Sequence, residues 1–137
     1  MEGFKLCVVT PEGCAFEGEV RSVTVRTTEG DIGILKNHTN FVSGIEYGML
    51  KITACDGSAS LASCMNGFVN VDAEQVRIIA TTFEFAQQID LERAKKARDG
   101  AAERLGERDR LTEDEIAVAT ARKRRAENRI HVYELYH

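Results

Sequence analysis

The residue pattern of this chain changes at Ile89-Asp90, and any fold must accommodate that change. Before this point, short apolar alternations are separated by glycine-containing turns; after it, apolar residues recur at helical spacing between many charges. Charged residues number 17 in the first 89 positions but 23 in the last 48, so the two parts differ in character. We predict two domains: strands over residues 1–86 and helices over residues 87–137.

The first domain shows the alternation of half-buried strands. Val23 and Val25, for example, alternate with polar neighbours, which predicts a strand with one buried face. The pairs Asp56-Gly57 and Asn66-Gly67 are typical of two-residue hairpin turns, because Asn and Gly tolerate positive φ. Eight to ten short strands at this spacing predict a β-sandwich.

The second domain is predicted to be two antiparallel helices, which makes the fold class α+β. The first helix begins near Asp90, contains Gly100 and ends near Gly106. Thr112 and Glu115 have the spacing of a capping box, so the second helix begins there and runs to about Tyr133. The first helix has a narrow, mostly alanine stripe, and the residues between the two helices are mostly small, so the hairpin buries little apolar area. The hairpin is therefore either an ordinary packed element or a marginal one suited to switching.

Two features of this hairpin have alternative interpretations. Asp90 is either only an N-cap at a domain junction, or it also shares a pocket with Arg93. The basic residues of the second helix form either a solvated face or a site for an anionic partner, since guanidinium groups suit phosphate and carboxylate oxygens. These basic residues are Arg122, Lys123, Arg124, Arg125 and Arg129.

Several function classes are disfavoured. A net charge of −4 argues against general nucleic-acid binding, and the lack of eighteen consecutive apolar residues argues against membrane insertion. The start of the chain lacks the pattern of a signal peptide. The cysteines are widely spaced without a CxxC pair, so we expect small hydrophobic side chains in a reducing cytoplasm and no metal. They are Cys7, Cys14, Cys55 and Cys64.

No catalytic constellation is recognisable, so we do not expect an enzyme. The segment from Glu29 to His38 has a GxxG-like spacing that could cradle phosphate, but no helix pattern follows it. The alternative is a bulged strand and turn in which His38 bonds to the backbone.

Four segments of the chain resemble the epsilon subunit of bacterial F-type ATP synthases. Residues 4–11 are similar to its first strand. Residues 29–35, followed by His38, are similar to its most characteristic loop. Residues 67–71 resemble a late strand. Residues 89–94, Ile-Asp-Leu-Glu-Arg-Ala, match the nucleotide motif of ATP-binding members. The order and spacing of the four make the resemblance specific.

The resemblance implies a ten-stranded β-sandwich followed by a helical hairpin. It implies a non-catalytic rotor subunit, peripheral at the cytoplasmic face of the cell membrane, that binds the gamma subunit and the c-ring. The hairpin would fold and bind ATP as a regulatory ligand, or extend towards the alpha and beta subunits and inhibit ATP hydrolysis. No cofactor is required.

The resemblance also implies roles for individual residues. The ATP site would contain Glu84, Asp90, Arg93, Ala94, Arg125 and Arg129. The c-ring contact would contain Glu29, Gly30, Asp31, Ile32 and His38. The inhibitory basic face would contain Arg122, Lys123 and Arg124.

The sequence departs from the family at three places, of which the mildest is Asn66, where glycine is common and both residues tolerate positive φ. Lys36-Asn37 precede His38 where Pro-Gly is usual, and Gly100 stands where ATP-binding members often have arginine. Two other hypotheses stay open: a free-standing ATP-sensing module, and an adaptor in which each domain binds a different protein.

Overall fold

The chain forms two compact units, Met1–Phe85 and Ala86–His137, in a computed structural model that describes residues 3–27, 30–36 and 40–136. The units divide one residue before the predicted boundary. The first unit contains strands and the second contains helices. The strands are β1 (Phe4–Thr10), β2 (Gly13–Thr27), β3 (Gly30–Leu35), β4 (Phe41–Ala54), β5 (Ala59–Val71) and β6 (Gln75–Phe85).

The strands form one barrel-like sheet in the order β1-β6-β5-β4-β2-β3, which an additional β1–β2 pairing closes. Among the described strand pairs, β1 and β6 are parallel and the others are antiparallel. Closure is possible because β2 is long. Its first part, up to Val20, pairs with β1, and Val20 also pairs with Ala54 of β4. After a register shift between Val20 and Ser22, the second part pairs with β4 and β3. A bulge of this kind bends a strand and increases its twist.

The prediction of ten strands was wrong, since the described residues form six. Segments that the sequence pattern separates are continuous in the structure: residues 14–19 and 23–25 both belong to β2, and residues 58–65 and 68–71 fall largely within β5. A bend or a glycine interrupts apolar alternation without ending the ladder of hydrogen bonds. Sequence pattern therefore overcounts strands here.

Asn66-Gly67 is not a turn but part of β5. Asn66 has a φ of 55°, and Gly67 still pairs with both Ile45 and Ala80. A Cβ at Gly67 would overlap the carbonyl oxygen of Ile79, so this glycine is needed for close approach of backbones. Asn66-Gly67, a pair that favours positive φ in turns, therefore lies within a strand here.

The turn at Asp56-Gly57 has three residues, not two. Ala54 N donates to Ser58 O at 2.8 Å and Gly57 N to Ala54 O at 2.9 Å, with Gly57 at a φ of 93°. The Asp56 carboxylate accepts from the backbone N of Ser58 at 2.9 Å. This is the common three-residue hairpin loop, in which the last loop residue, here Gly57, adopts a left-handed φ.

The core of the first unit follows the predicted alternation, including Val23 and Val25, which are fully buried. Burial of successive inward positions removes apolar area from water and stabilises the closed sheet. The buried cluster is Leu6, Val8, Val20, Val23, Val25, Ile34, Ile45, Leu50, Ile52, Ala62, Cys64, Val69, Val71, Val76, Ile78 and Ala80.

The second unit is a hairpin of α1 (Leu91–Leu105) and α2 (Glu113–Tyr136), joined by a turn that includes a short 3-10 segment, Arg108–Arg110. The predicted N-cap is confirmed, because the Asp90 carboxylate accepts from Arg93 N at 3.1 Å. Neither helix, among the described residues, combines the length and hydropathy needed to span a membrane.

The predicted capping box of α2 is also confirmed. Glu115 N donates to Thr112 Oγ1 at 3.1 Å, and Thr112 N donates to Glu115 Oε1 at 3.3 Å. The buried residues of the two helices are mostly small, as the sequence predicts. They are Ala94, Ala101, Ala119, Ala126, Ile130 and Val132.

Candidate anion-binding site of the hairpin

A cleft of about 360 Å³ lies between α1 and α2. It exists because the helices meet there through small residues: Ala101 and Ala119 are buried, and Gly100 has no side chain to fill the space. Ligand sites have volumes of about 300–1,000 Å³, so the cleft can hold a small molecule. The uncharged residues that line it, called its floor below, are Ala97, Gly100, Ala101, Val118 and Ala119.

Five cationic side chains surround this floor: Lys96 and Arg104 from α1, and Arg122, Arg125 and Arg129 from α2. Helical spacing explains the arrangement, because residues three or four apart lie on one face. Two facing helices thus place their basic stripes around one small-residue floor.

The charge of the cleft favours an anion. Its described lining residues include no Asp or Glu. Arg104 is partly compensated, since its Nη2 lies 2.7 Å from Glu115 Oε2. Guanidinium groups around an apolar floor suit a ligand with a phosphate group and a planar or apolar part, because the forked donors match phosphate oxygens.

A larger cavity of about 770 Å³ on the first unit has the opposite character. Its described lining residues include four carboxylates, Glu17, Glu19, Asp72 and Glu74, against Lys5 and Lys36. The excess of carboxylates disfavours an anionic ligand. The smaller cleft is therefore the better candidate for a phosphate-bearing ligand.

The structure brings two of the predicted ATP residues together. Arg125 and Arg129, both half-buried, line the cleft one turn apart on α2. Ala94 is buried in α1, and Glu84 lies in β6, within the other compact unit.

Asp90 and Arg93 are not among the lining residues of the cleft. The Asp90 carboxylate is occupied as the N-cap of α1, and the side chain of Arg93 is exposed in the first turn. The assignment of ATP to these six residues stays a prediction.

Sequence reasoning did not assign Lys96, Gly100 or Arg104 of α1 to a site, although all three line the cleft. Their spacing of four residues along α1 places them on one face, which is the pattern that identifies them. Arg98, the nearest arginine to Gly100 on its N-terminal side, is not among the lining residues, and its Nε lies 3.0 Å from Asp99 Oδ1.

The predicted inhibitory face is divided in the structure. Arg122 lines the cleft, Lys123 is half-buried, and Arg124 is exposed. Consecutive helical residues point about 100° apart, so these three cannot form a single face. Arg122 belongs with Arg125 and Arg129 instead.

The predicted c-ring residues lie on or beside β3. Gly30 begins this strand with a φ of 113°, and Asp31 is exposed, with Oδ1 lying 3.2 Å from Arg26 Nε on β2. Ile32 packs partly against the core. Glu29 and His38 lie outside the described residues. The β2–β3 register is regular over the described pairs, so the strand is not bulged.

The family comparison matches the first unit. Residues 3–86 match the model of the ATP synthase Delta/Epsilon chain beta-sandwich domain. Curated relatives extend the similarity across the hairpin. The ATP synthase epsilon chain of Bacillus velezensis is 36% identical over 132 residues, which cover 96% of this chain and 98% of the relative. That of Exiguobacterium sp. is 36% identical over 128 residues, covering 93% of each.

Solved structures show the same fold at lower identity. A chain in the Euglena gracilis mitochondrial ATP synthase, OSCP/F1/c-ring, has a TM-score of 0.81 at 20% identity and covers 100% of this chain and 83% of its own. A chain of the Tetrahymena thermophila mitochondrial ATP synthase central stalk/c-ring has a TM-score of 0.57 at 15% identity, covering 97% and 95%. The chain therefore belongs to the family of ATP synthase epsilon chains, which are non-catalytic subunits of the rotary enzyme.

Proposed function

We propose that this chain is the central-stalk subunit that couples the catalytic head of a proton-translocating ATP synthase to its c-ring. In this role it binds the gamma subunit and the c-ring, and it is peripheral at the cytoplasmic face of the membrane. Its hairpin binds ATP when folded, and when extended it contacts the alpha and beta subunits and inhibits ATP hydrolysis. Family membership supports the assignment to the rotary enzyme.

The cleft between α1 and α2 is the observation that supports a regulatory ATP site. It combines a volume of about 360 Å³ with five cations and an alanine-rich floor. Phosphate oxygens accept from the arginines, and the adenine packs on the floor. Hydrogen bonds to charged groups contribute about 1.5–3 kcal/mol each, so each arginine that binds phosphate matters measurably.

The link from ATP to regulation is mass action. Only the folded hairpin assembles both sides of the cleft, so ATP stabilises that form by RT ln(1 + [ATP]/Kd). Extension of the hairpin separates α1 from α2 and removes the site. High ATP therefore opposes the inhibitory form.

Amide hydrogen exchange of the full chain, with and without ATP, tests this proposal. We expect ATP to protect the amides of residues 92–133. Arg125→Ala or Arg129→Ala should weaken binding by roughly 10- to 100-fold, the equivalent of losing one charged hydrogen bond. Arg108→Ala, an exposed cation of the connecting turn, serves as the matched control and should behave like the parent.

Arg93→Ala tests whether ATP contacts the nucleotide motif at residues 89–94 as well as the cleft between α1 and α2. If ATP also contacts the start of α1, this variant loses protection with the others; if the cleft alone binds ATP, it does not. Equal protection in the parent, Arg125→Ala and Arg129→Ala would place ATP elsewhere. Absence of protection in the parent would remove the ATP site from the proposal.

Assembly tests the rest of the proposal. We expect the chain to co-purify with alpha, beta and gamma subunits when all are co-expressed. A chain that binds ATP but no ATP synthase subunit would be a free-standing sensor instead.

A further inference from the structure

The hairpin of β1 and β2 brings together two cysteines that are seven residues apart in the sequence. Sulfur atoms of Cys7 and Cys14 and a carboxylate oxygen of Glu17 all lie within 4.8 Å of one another. Spacing alone argued against a metal, because no CxxC pair is present. The register of the two strands changes that conclusion.

Strand pairing explains why these side chains share a face. Val8 is fully buried, so its neighbour Cys7 points to the outer side of the sheet, directly opposite Glu17 on β2. The register shifts between Val8 and Val9, which leaves Ala15 as an extra residue on β2. This bulge turns Cys14 to the side of Cys7 and Glu17, and its Sγ lies 4.0 Å from Glu17 Oε2.

We propose that Cys7, Cys14 and Glu17 form a binding site for a thiophilic divalent cation of the zinc class. Two thiolates and one carboxylate are ligands that tetrahedral zinc accepts, with water in the fourth position. Thiolate ligands select zinc over magnesium and calcium, which take oxygen.

The geometry needs only small movements. At a Zn–S distance of about 2.3 Å, two tetrahedral sulfurs lie about 3.8 Å apart, so side-chain rotation of roughly 1 Å brings the donors into place. Cys14 and Glu17 are exposed and have room to rotate.

A neighbouring lysine orients the carboxylate of the site. Lys5 Nζ lies 2.9 Å from Glu17 Oε1, which leaves Oε2, the oxygen near Cys14, for the metal. This contact orients the carboxylate as outer partners of metal ligands do. Arg77 is the strand partner of Cys7 on β6. Burial, with Cys14 and Glu17 nearby, raises the pKa of the Cys7 thiol, so the metal must displace its proton. Bound metal would cross-link β1 to β2 next to the turn that joins them.

Cobalt(II) titration of the full-length chain, in metal-free buffer with a reductant that keeps the thiols reduced, tests the site. We expect sulfur-to-cobalt charge-transfer absorption that saturates at one equivalent and disappears when zinc is added. Cys7→Ser and Cys14→Ser should each lose this absorption. Glu17→Gln should keep it but require more cobalt.

Cys55→Ser is the matched control, since its thiol lies outside the cluster, and it should titrate like the parent. Zinc should raise the Tm of the parent and of Cys55→Ser but not of Cys14→Ser, and far-ultraviolet circular dichroism confirms that each variant is folded. Absence of charge-transfer absorption in the parent, or its persistence in both Cys7→Ser and Cys14→Ser, would overturn the proposal.

Discussion

Arg104 on α1 and Glu115 on α2 are joined by an ion pair of 2.7 Å, and the same carboxylate closes the capping box with Thr112. One side chain thus caps α2 and connects it to α1. Hydrogen bonds from Thr112, with the Arg104 charge adding, hold the pKa of Glu115 below its usual value of 4.5. The start of α2 is therefore coupled to pH.

The first prediction concerns the stability of the start of α2 at acidic pH. Because the pKa of Glu115 is lowered in the folded state, its contribution to the stability of the hairpin is fully present above pH 4.5. That contribution is lost as the pH falls through the folded pKa. We expect the protection factors of the first-turn amides of α2, measured by hydrogen exchange relative to the intrinsic exchange rate at each pH, to fall in this window. Glu115→Gln keeps the shape but cannot titrate, so it should remove this pH dependence. An unchanged pH profile in the variant would contradict the assignment.

The second prediction concerns Gly100 in the middle of α1. A Cβ built there meets nothing within 4 Å, so alanine fits without a clash. Since glycine in a helix interior costs roughly 0.5–1 kcal/mol relative to alanine, Gly100→Ala should stabilise the hairpin by about that amount. Thermal unfolding of the full chain measures it. The contrasting control is Gly67→Ala, which should destabilise the first unit because its Cβ would overlap backbone.

The third prediction separates inhibition from ATP binding. Lys123 and Arg124 are not among the lining residues of the cleft, whereas Arg122 is. If they contact acidic surface on the catalytic subunits, replacing both with alanine should relieve inhibition of hydrolysis, more so at low salt, where exposed charges act further. ATP binding by the chain should be unchanged. Hydrolysis rates equal to the parent at every salt concentration would count against this contact.

The fourth prediction concerns Asp31, which is exposed on β3 beside Arg26. Asp31→Arg should weaken assembly with the c-ring if a basic loop is its partner, because like charges would then meet. Asp31→Asn also loses the pair with Arg26 but adds no positive charge, so it should assemble better than Asp31→Arg. Equal, full assembly of both variants would exclude this contact.

Local chemistry made several features predictable. Asp90 and the pair Thr112 and Glu115 were identified as caps because capping depends on side chains within four residues of the donors they satisfy. The alternation of Val23 and Val25 and the change of pattern near Ile89 likewise follow from period and composition. The sequence by itself therefore determined the two domains, their element types and the helix starts.

Tertiary structure decided what depends on strand pairing and helix packing. Asn66-Gly67 has the local preference of a turn, but pairing on both sides makes it part of β5. Cys7 and Cys14 became neighbours because a bulge in β2 turned one of them outward. Lys96 and Arg129 share a cleft because two helices pack through alanine. The physical reason is that strand register and the facing sides of the helices are fixed by the partner that each segment pairs or packs with, which the preference of a single residue does not specify.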